Sequence, residues 1–306
     1  MTLATNSVTG PTNRTLDLCL LLTLATLWGA SYTFIKVGVE TISPVTFIAG
    51  RTLIAAGLLL AVLRWRSVSL PTDRATWAHF LFQACLNSVV PYTLIAWGQL
   101  TVDASLATIL NSTSPIFAFL LTALVARHEP VTARKLFGVM AGIAGIVLII
   151  GVEALGGLGR DLLAQLAIVA ATVCYAGAAI FGHRFGRFDP AVPAAGSMLS
   201  GAMLLVPASL VIDRPWTLTP SLASLAALIG LSVFSTALAF VIYFRLLRTL
   251  GSVATTAQAY LRVPIGVAMG VIFLGEALTA SAWTGLVCVL IGVAAMTVPA
   301  RKAAAA

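Results

Sequence analysis

The chain has 306 residues, of which 59% are hydrophobic and 9% charged, with a mean hydropathy of +1.02 and a net charge of +8. A soluble domain carries about 25% charged residues, so this composition cannot build an aqueous surface and belongs to an integral membrane protein. The four cysteines (Cys19, Cys85, Cys174, Cys288) fall one per apolar run without metal spacing, which excludes a thiolate centre, and no metal or other cofactor is expected.

Residues 1–16 are polar and do not read as a cleaved leader. Apolar runs follow at 17–37, 44–63, 77–98, 104–126, 134–151, 162–182, 191–212, 221–244, 253–274 and 281–299. Each has about the length that crosses a bilayer. The charges orient them. With the N-terminus placed in the cytoplasm, the tails and the even-numbered connections carry Arg14, Arg64, Arg66, Arg74, Arg127, Arg134, Lys135, Arg184, Arg187, Arg245, Arg248, Arg301 and Lys302. The opposite side carries only Lys36, Arg160 and Arg214. This asymmetry predicts both termini inside and accounts for the positive charge without any nucleic-acid partner.

The chain also repeats itself. Residues 104–132 and 253–279 each open on small residues and run into a proline (Pro115, Pro264), then a glutamate (Glu129, Glu276), then a threonine (Thr132, Thr279). A glycine-bearing helix follows, with Gly138 and Gly145 in one copy and Gly285 and Gly292 in the other. From the glutamate onward the copies are 147 residues apart, Glu276 against Glu129. Earlier in the halves, Trp28 stands opposite Tyr175 and Lys36 opposite His183. Five spans per half is an odd number, so the second half enters the membrane upside down. The expected fold is all-α, with ten transmembrane helices as two inverted five-helix repeats. The tail 1–16 is followed by a first repeat at 17–151, an outer connection at 152–161, a second repeat at 162–299 and a tail at 300–306.

The segment WGASYTFIK at 28–36, the opening of the second run from Pro44 to Arg51 and the doubled P…E…T…G pattern resemble EamA-type transporters of the drug/metabolite transporter superfamily. The resemblance covers essentially the whole chain. It implies export of amino acids or other small metabolites through a central cavity, lined mainly by helices 1–4 and 6–9 with helices 5 and 10 peripheral. Distant relatives move phosphorylated or nucleotide sugars. Pro130 follows the first glutamate where Ala277 follows the second, a local departure between the two copies.

Site candidates are the polar and aromatic groups inside the apolar runs, because lipid cannot satisfy them. They are Trp28, Tyr32, Gln83, Asn87, Asn111, Ser112, Tyr175, Ser235, Gln258 and Arg262. The competing reading of each small polar group is helix-to-helix adhesion, at about 0.6 kcal/mol apiece. Pro91, Pro115 and Pro264 are expected as bends or hinges, since proline frees a backbone carbonyl in mid-helix. Arg51 and Arg262 are the deep charges. Arg51 reads as structural, whereas Arg262, beside Thr255 and Gln258, divides evenly between a structural tie and a counter-charge for a carboxylate or phosphate. Glu129 and Glu276 are expected to cap neighbouring helix N-termini, and His79 to act as a solvated or hydrogen-bonded cap.

An intramembrane enzyme would need a nucleophile with its base, a metal cluster or paired carboxylates within the spans, and the runs hold none of these. The expected partners are a small-molecule substrate and the bilayer of the cytoplasmic membrane, with the chain a monomer or homodimer.

Overall fold

The computed structural model describes residues 14–123, 132–150, 160–249 and 258–297, whose regular structure is helical throughout. The rods are α1 (Arg14–Gly38), α2 (Pro44–Trp65), α3 (Arg74–Gly98), α4 (Ala104–Leu121) and α5 (Ala133–Ile150) in the first half. The second half holds α6 (Arg160–Gly182), α7 (Ala191–Ile212), α8 (222–249), α9 (Gln258–Leu274) and α10 (Ala280–Thr297). Local chemistry sets several boundaries. Pro44 occupies the first turn of α2, where its missing N–H costs nothing. Asp73 accepts from the Thr76 amide at 2.8 Å to cap α3, and Ser221 accepts from Ser224 to cap α8. Gly275, at φ +67°, ends α9 in the left-handed conformation that glycine tolerates.

Seven of these helices are long and apolar enough to cross a membrane: α1 to α4 and α6 to α8. The apolar stretches Leu261–Leu274 of α9 and Ala280–Ala295 of α10 are shorter. The expected start of the ninth span at 253 lies outside the described residues, as does Glu129. Large apolar side chains such as Trp65, Val211, Leu222 and Phe273 stand exposed around the bundle, whereas Phe47, Ile48, Ile109, Leu110 and Met198 are fully buried.

Hydrogen bonds between helices give the directions. Lys36 at the end of α1 donates to the carbonyls of Gln99 and Val102 beyond the end of α3, both at 3.0 Å, so α1 and α3 run the same way. The end of α3 at Gly98 meets the start of α6 at Ala164 and Ile168. Gln83 near the start of α3 donates to the Ala178 carbonyl near the end of α6. Helix α6 therefore runs opposite to α1, its counterpart in the repeat. The end where α1 begins is called the terminus end below, and the other the far end.

The register of the repeat survives in the helices. The bounds of α7 (191 and 212) and α2 (44 and 65) are both 147 apart, and so are those of α10 (280 and 297) and α5 (133 and 150). The closest pairings each join one helix from each half: α5 with α10, α2 with α7, α1 with α9, and α3 with α6. Exchanging the halves sends α1–α9 to α6–α4 and α1–α8 to α6–α3, and those pairs are packed as well. The pair α5–α10 stands to one side and reaches the rest chiefly through α4. Its seam is a backbone contact. A methyl group on Gly145 would sit 2.7 Å from the Gly285 carbonyl oxygen, and one on Gly292 2.5 Å from the Gly138 carbonyl oxygen. Only glycine permits that approach.

Helices α2 and α7 are tied at both ends. At the far end Asp213 accepts from the Thr46 amide and hydroxyl at 2.8 and 2.9 Å, capping α2 from across the interface. At the terminus end Arg66 pairs with Asp189 at 2.7 Å. Asp189 also accepts from the Ala191 amide at the start of α7.

Candidate functional site

Helices α3 and α8 widen in mid-course into π-helical turns at Cys85–Val89 and Val233–Leu238. Such turns insert a residue into the helix and frequently mark functional positions. Here they occupy nearly corresponding places in the two halves. In α8 the hydroxyl of Thr236 donates five residues back to the Leu231 carbonyl at 2.9 Å, which turns its oxygen toward α2. There it accepts from Nε of Arg51 at 3.0 Å. The Arg51 guanidinium lies over the ring of Tyr92, 3.7 Å from its centroid, an arrangement that stabilises a cation by the ring quadrupole. Arg51 is 5% exposed, and no described residue accepts from its two Nη atoms. Its aromatic platform and its Thr236 bond hold the side chain still while the outer edge of the fork is left open.

Tyr92 packs edge-on against Tyr175 of α6, with ring centroids 6.4 Å apart. Tyr175 is half-buried. Tyr32 of α1 is buried within electrostatic reach of Arg51, Arg262 and Tyr92, with Asn111 close to its hydroxyl. Arg51 and Arg262 both act on Tyr175 too. Arg262 is brought in by close helix packing. The α9 backbone at Arg262 and Gly266 abuts Gly29 of α1, where an added methyl would sit 3.1 Å from each, and Tyr32 stands one turn further along α1. Arg262 is half-buried, with no acceptor among the described residues.

The structure thus gathers Tyr32, Asn111, Tyr175 and Arg262 of the expected candidates into one cluster, with Gln258 one turn before Arg262 on α9. The buried amides Asn111 and Gln258 stand 147 residues apart, at corresponding positions of the halves, and each has a carbonyl oxygen with no described donor. Ser235 is likewise buried without a partner, as is its counterpart Ser88 in the other π-turn. Asn87 is half-buried beside Ser88. Gln83 bridges α3 to α6. Trp28 stacks against Phe240 and Tyr243 of α8, nearer the terminus end. Ser112 donates within its own helix to the Ile109 carbonyl at 2.6 Å. Thr255 lies outside the described residues.

The prolines differ from one another. Helix α4 breaks at Ser112 and Thr113, just before Pro115, and the Asn111 carbonyl that Pro115 frees accepts from Ser114 at 2.8 Å. Helix α9 runs unbroken through Pro264. Pro91 is buried in the first turn beyond the π-turn of α3.

One expectation needs correcting and one is extended. Arg51, read from sequence as structural, ties α2 to α8 and α3 through Thr236 and Tyr92, and it also keeps the outer edge of its fork open to the cluster. No sequence signal placed Tyr92 under Arg51, because the match depends on which faces of α2 and α3 meet. His79 is no cap: Asp73 caps α3, and the His79 ring lies against Phe181. Glu276, by contrast, caps as expected. Its two oxygens accept from the amides of Ala104 and Ser105 at 2.7 and 2.8 Å at the start of α4, and from the Ser105 hydroxyl. Two surface hollows lie along the terminus end of α2, lined by Arg64 or by Arg66 and Arg245, away from the interior arginines.

A transmembrane cluster of cations and aromatics between two inverted halves defines a membrane transporter of repeat type. The chain belongs to the EamA-like transporter family, which it matches twice, over residues 15–151 and 162–298. It is 27% identical over 279 residues to the uncharacterized inner membrane transporter YedA of Escherichia coli (strain K12), covering 90% of this chain and 89% of that protein. An uncharacterized transporter of Archaeoglobus fulgidus is 26% identical over 257 residues, 83% of this chain and 86% of its own. The fold also matches a solved crystal structure with a TM-score of 0.65, at 18% identity and over 92% of this chain and 96% of that one. The protein is a multi-pass membrane transporter.

Proposed function

We propose that the chain exports small metabolites, amino acids first among them, across the cytoplasmic membrane by alternating access, with both termini in the cytoplasm. The observation that carries this reading is the pair of interior guanidinium groups, Arg51 and Arg262, set among three tyrosines with no described carboxylate beside them. Such a site suits a ligand that brings a carboxylate of its own. The excess of basic residues at the terminus end supports cytoplasmic termini, which makes the far end, with Glu276 and Lys36, the outer one. Phosphorylated or nucleotide sugars are the second reading, favoured by the same arginines.

The test is a radiolabelled uptake panel in proteoliposomes, with and without a pH gradient. Saturable uptake with counterflow is expected, persisting when the proton gradient is collapsed, since no described carboxylate lies in the pathway to titrate. Linear, non-saturating flux would point to a channel, and strict dependence on the gradient would reveal an overlooked proton site.

A further inference from the structure

The interior cluster carries two positive charges that nothing described in the protein neutralises. The described carboxylates are at the helix ends and connections. Glu40, Asp103, Asp161, Asp213 and Glu276 lie at the far end, where Asp213 and Glu276 are engaged in caps. Asp17, Asp73 and Asp189 lie at the terminus end, bonded to Thr249, Thr76 and Arg66 respectively. A guanidinium cannot shed its proton to escape burial, so each charge stays. Tyr32, Tyr92 and Tyr175 add three hydroxyls around the same space. A phenol can donate to an anion but cannot neutralise an arginine at ordinary pH.

The asymmetry between the halves sharpens this. At the register of the repeat, Arg51 corresponds to Met198 and Tyr92 to Ala239, both fully buried. At these two positions the second half is apolar where the first has its cation and platform. Arg51 and its tyrosine platform are therefore particular to the first half, and Arg262, opposite Pro115, to the second; neither is a by-product of duplicating a structural motif.

We infer that the occupant is a small organic molecule bearing two anionic charges, on two carboxylates or on one phosphate, that meet the open fork of Arg51 and Arg262. This rests on reading the cluster as the substrate site. A net-neutral zwitterion would leave the pair as charged as it found it, whereas two negative charges neutralise both. The unpartnered carbonyl oxygens of Asn111 and Gln258 suit a donor on the same molecule, an ammonium or a hydroxyl. Carboxylate and phosphate share this chemistry, so the class takes in dicarboxylates, acidic amino acids and phosphate monoesters.

The experiment is competition in proteoliposomes against whichever labelled compound gives saturable counterflow, using succinate, malate, aspartate, glycerol phosphate, alanine and glucose as competitors. Dianionic competitors should displace the label at least about tenfold more strongly than alanine, the factor that one charge-assisted hydrogen bond supplies. Succinate, malate and aspartate acting without glycerol phosphate would assign carboxylates, and the reverse would assign phosphate. Arg51→Gln and Arg262→Gln should each weaken the dianions more than alanine, so that the preference shrinks toward parity. Ligand-induced rises in melting temperature on the wild-type protein in detergent give the same ranking should either variant fail to fold. Alanine equal to or stronger than the dianions would overturn the inference and leave the transporter reading standing. Absence of saturable flux for every compound would remove both.

Discussion

Arg262 is the residue on which the reading of the site turns most directly. It reaches the cluster because Gly29 and Gly266 let α1 and α9 approach, and Tyr32 then lies within its field. Arg262→Lys keeps the charge but loses the planar fork, so it should weaken substrate affinity with the fold intact. Arg262→Gln should weaken it further, by about 1.5–3 kcal/mol if a charge-assisted bond is lost. Melting temperature and affinity measured on the same purified variants decide the matter. Lower stability at unchanged affinity would make Arg262 a tie between helices. Much of this scale was hidden in the sequence. Arg262 and Asn111 were visible as polar groups in apolar runs, but Arg51 and Tyr92 lie on different helices and declare each other only when α2 and α3 meet. The π-turns leave no compositional mark, apart from Pro91 just after one of them.

At the scale of the element, the start of α4 shows how one carboxylate displaces another. Asp103 holds the N-cap position, yet its side chain makes no cap bond, and Glu276 from beyond α9 takes both amides instead. Partial burial and then the neighbouring Glu276 raise the Asp103 carboxyl above its ordinary range, with Lys36, 4.0 Å away, opposing them. A carboxyl with a raised folded pKa stabilises the fold most when protonated, and that contribution fades as pH rises through the folded value. Asp103→Asn should therefore raise the melting temperature slightly at neutral pH, and the gain should vanish on acidification. The side chain is half exposed, so the effect is modest. Glu276→Ala should cost about 1–2 kcal/mol, the upper range for a lost cap, read as a fall in melting temperature at neutral pH. The capping role of Glu276 was legible from its place at a helix end; that Asp103 would yield to it was not.

The whole molecule was the most legible scale. A register of 147 residues in the sequence reappears in the bounds of α2 and α7 and of α5 and α10, and the repeated glycines form a seam where backbones touch. Sequence could say that the halves pair because an apolar repeat has to bury its faces against something. It could not say that α4 breaks before Pro115 while α9 runs through Pro264, since the same residue sits in different surroundings. The orientation has its own test. On a background lacking the four native cysteines, a cysteine at 132–135 should label from the cytoplasm and one at 275–280 from outside. Labelling of both from one side would contradict the inversion.

The pairing of helices across the halves also bears on how the chain is put together. Because α1 rests on α8 and α9, α3 and α4 on α6, α2 on α7 and α5 on α10, either half by itself would be a set of helices missing its partners. Covalent linkage between α5 and α6 keeps the two halves at high effective concentration. Two separately encoded polypeptides, 1–151 and 152–306, should therefore assemble in one membrane into a working transporter. Expressed singly, each should be degraded or fail to reach a monodisperse state. Co-purification through a tag on one fragment, followed by counterflow, would show it. Loss of assembly would mean that synthesis in one piece is what brings the inverted partners together.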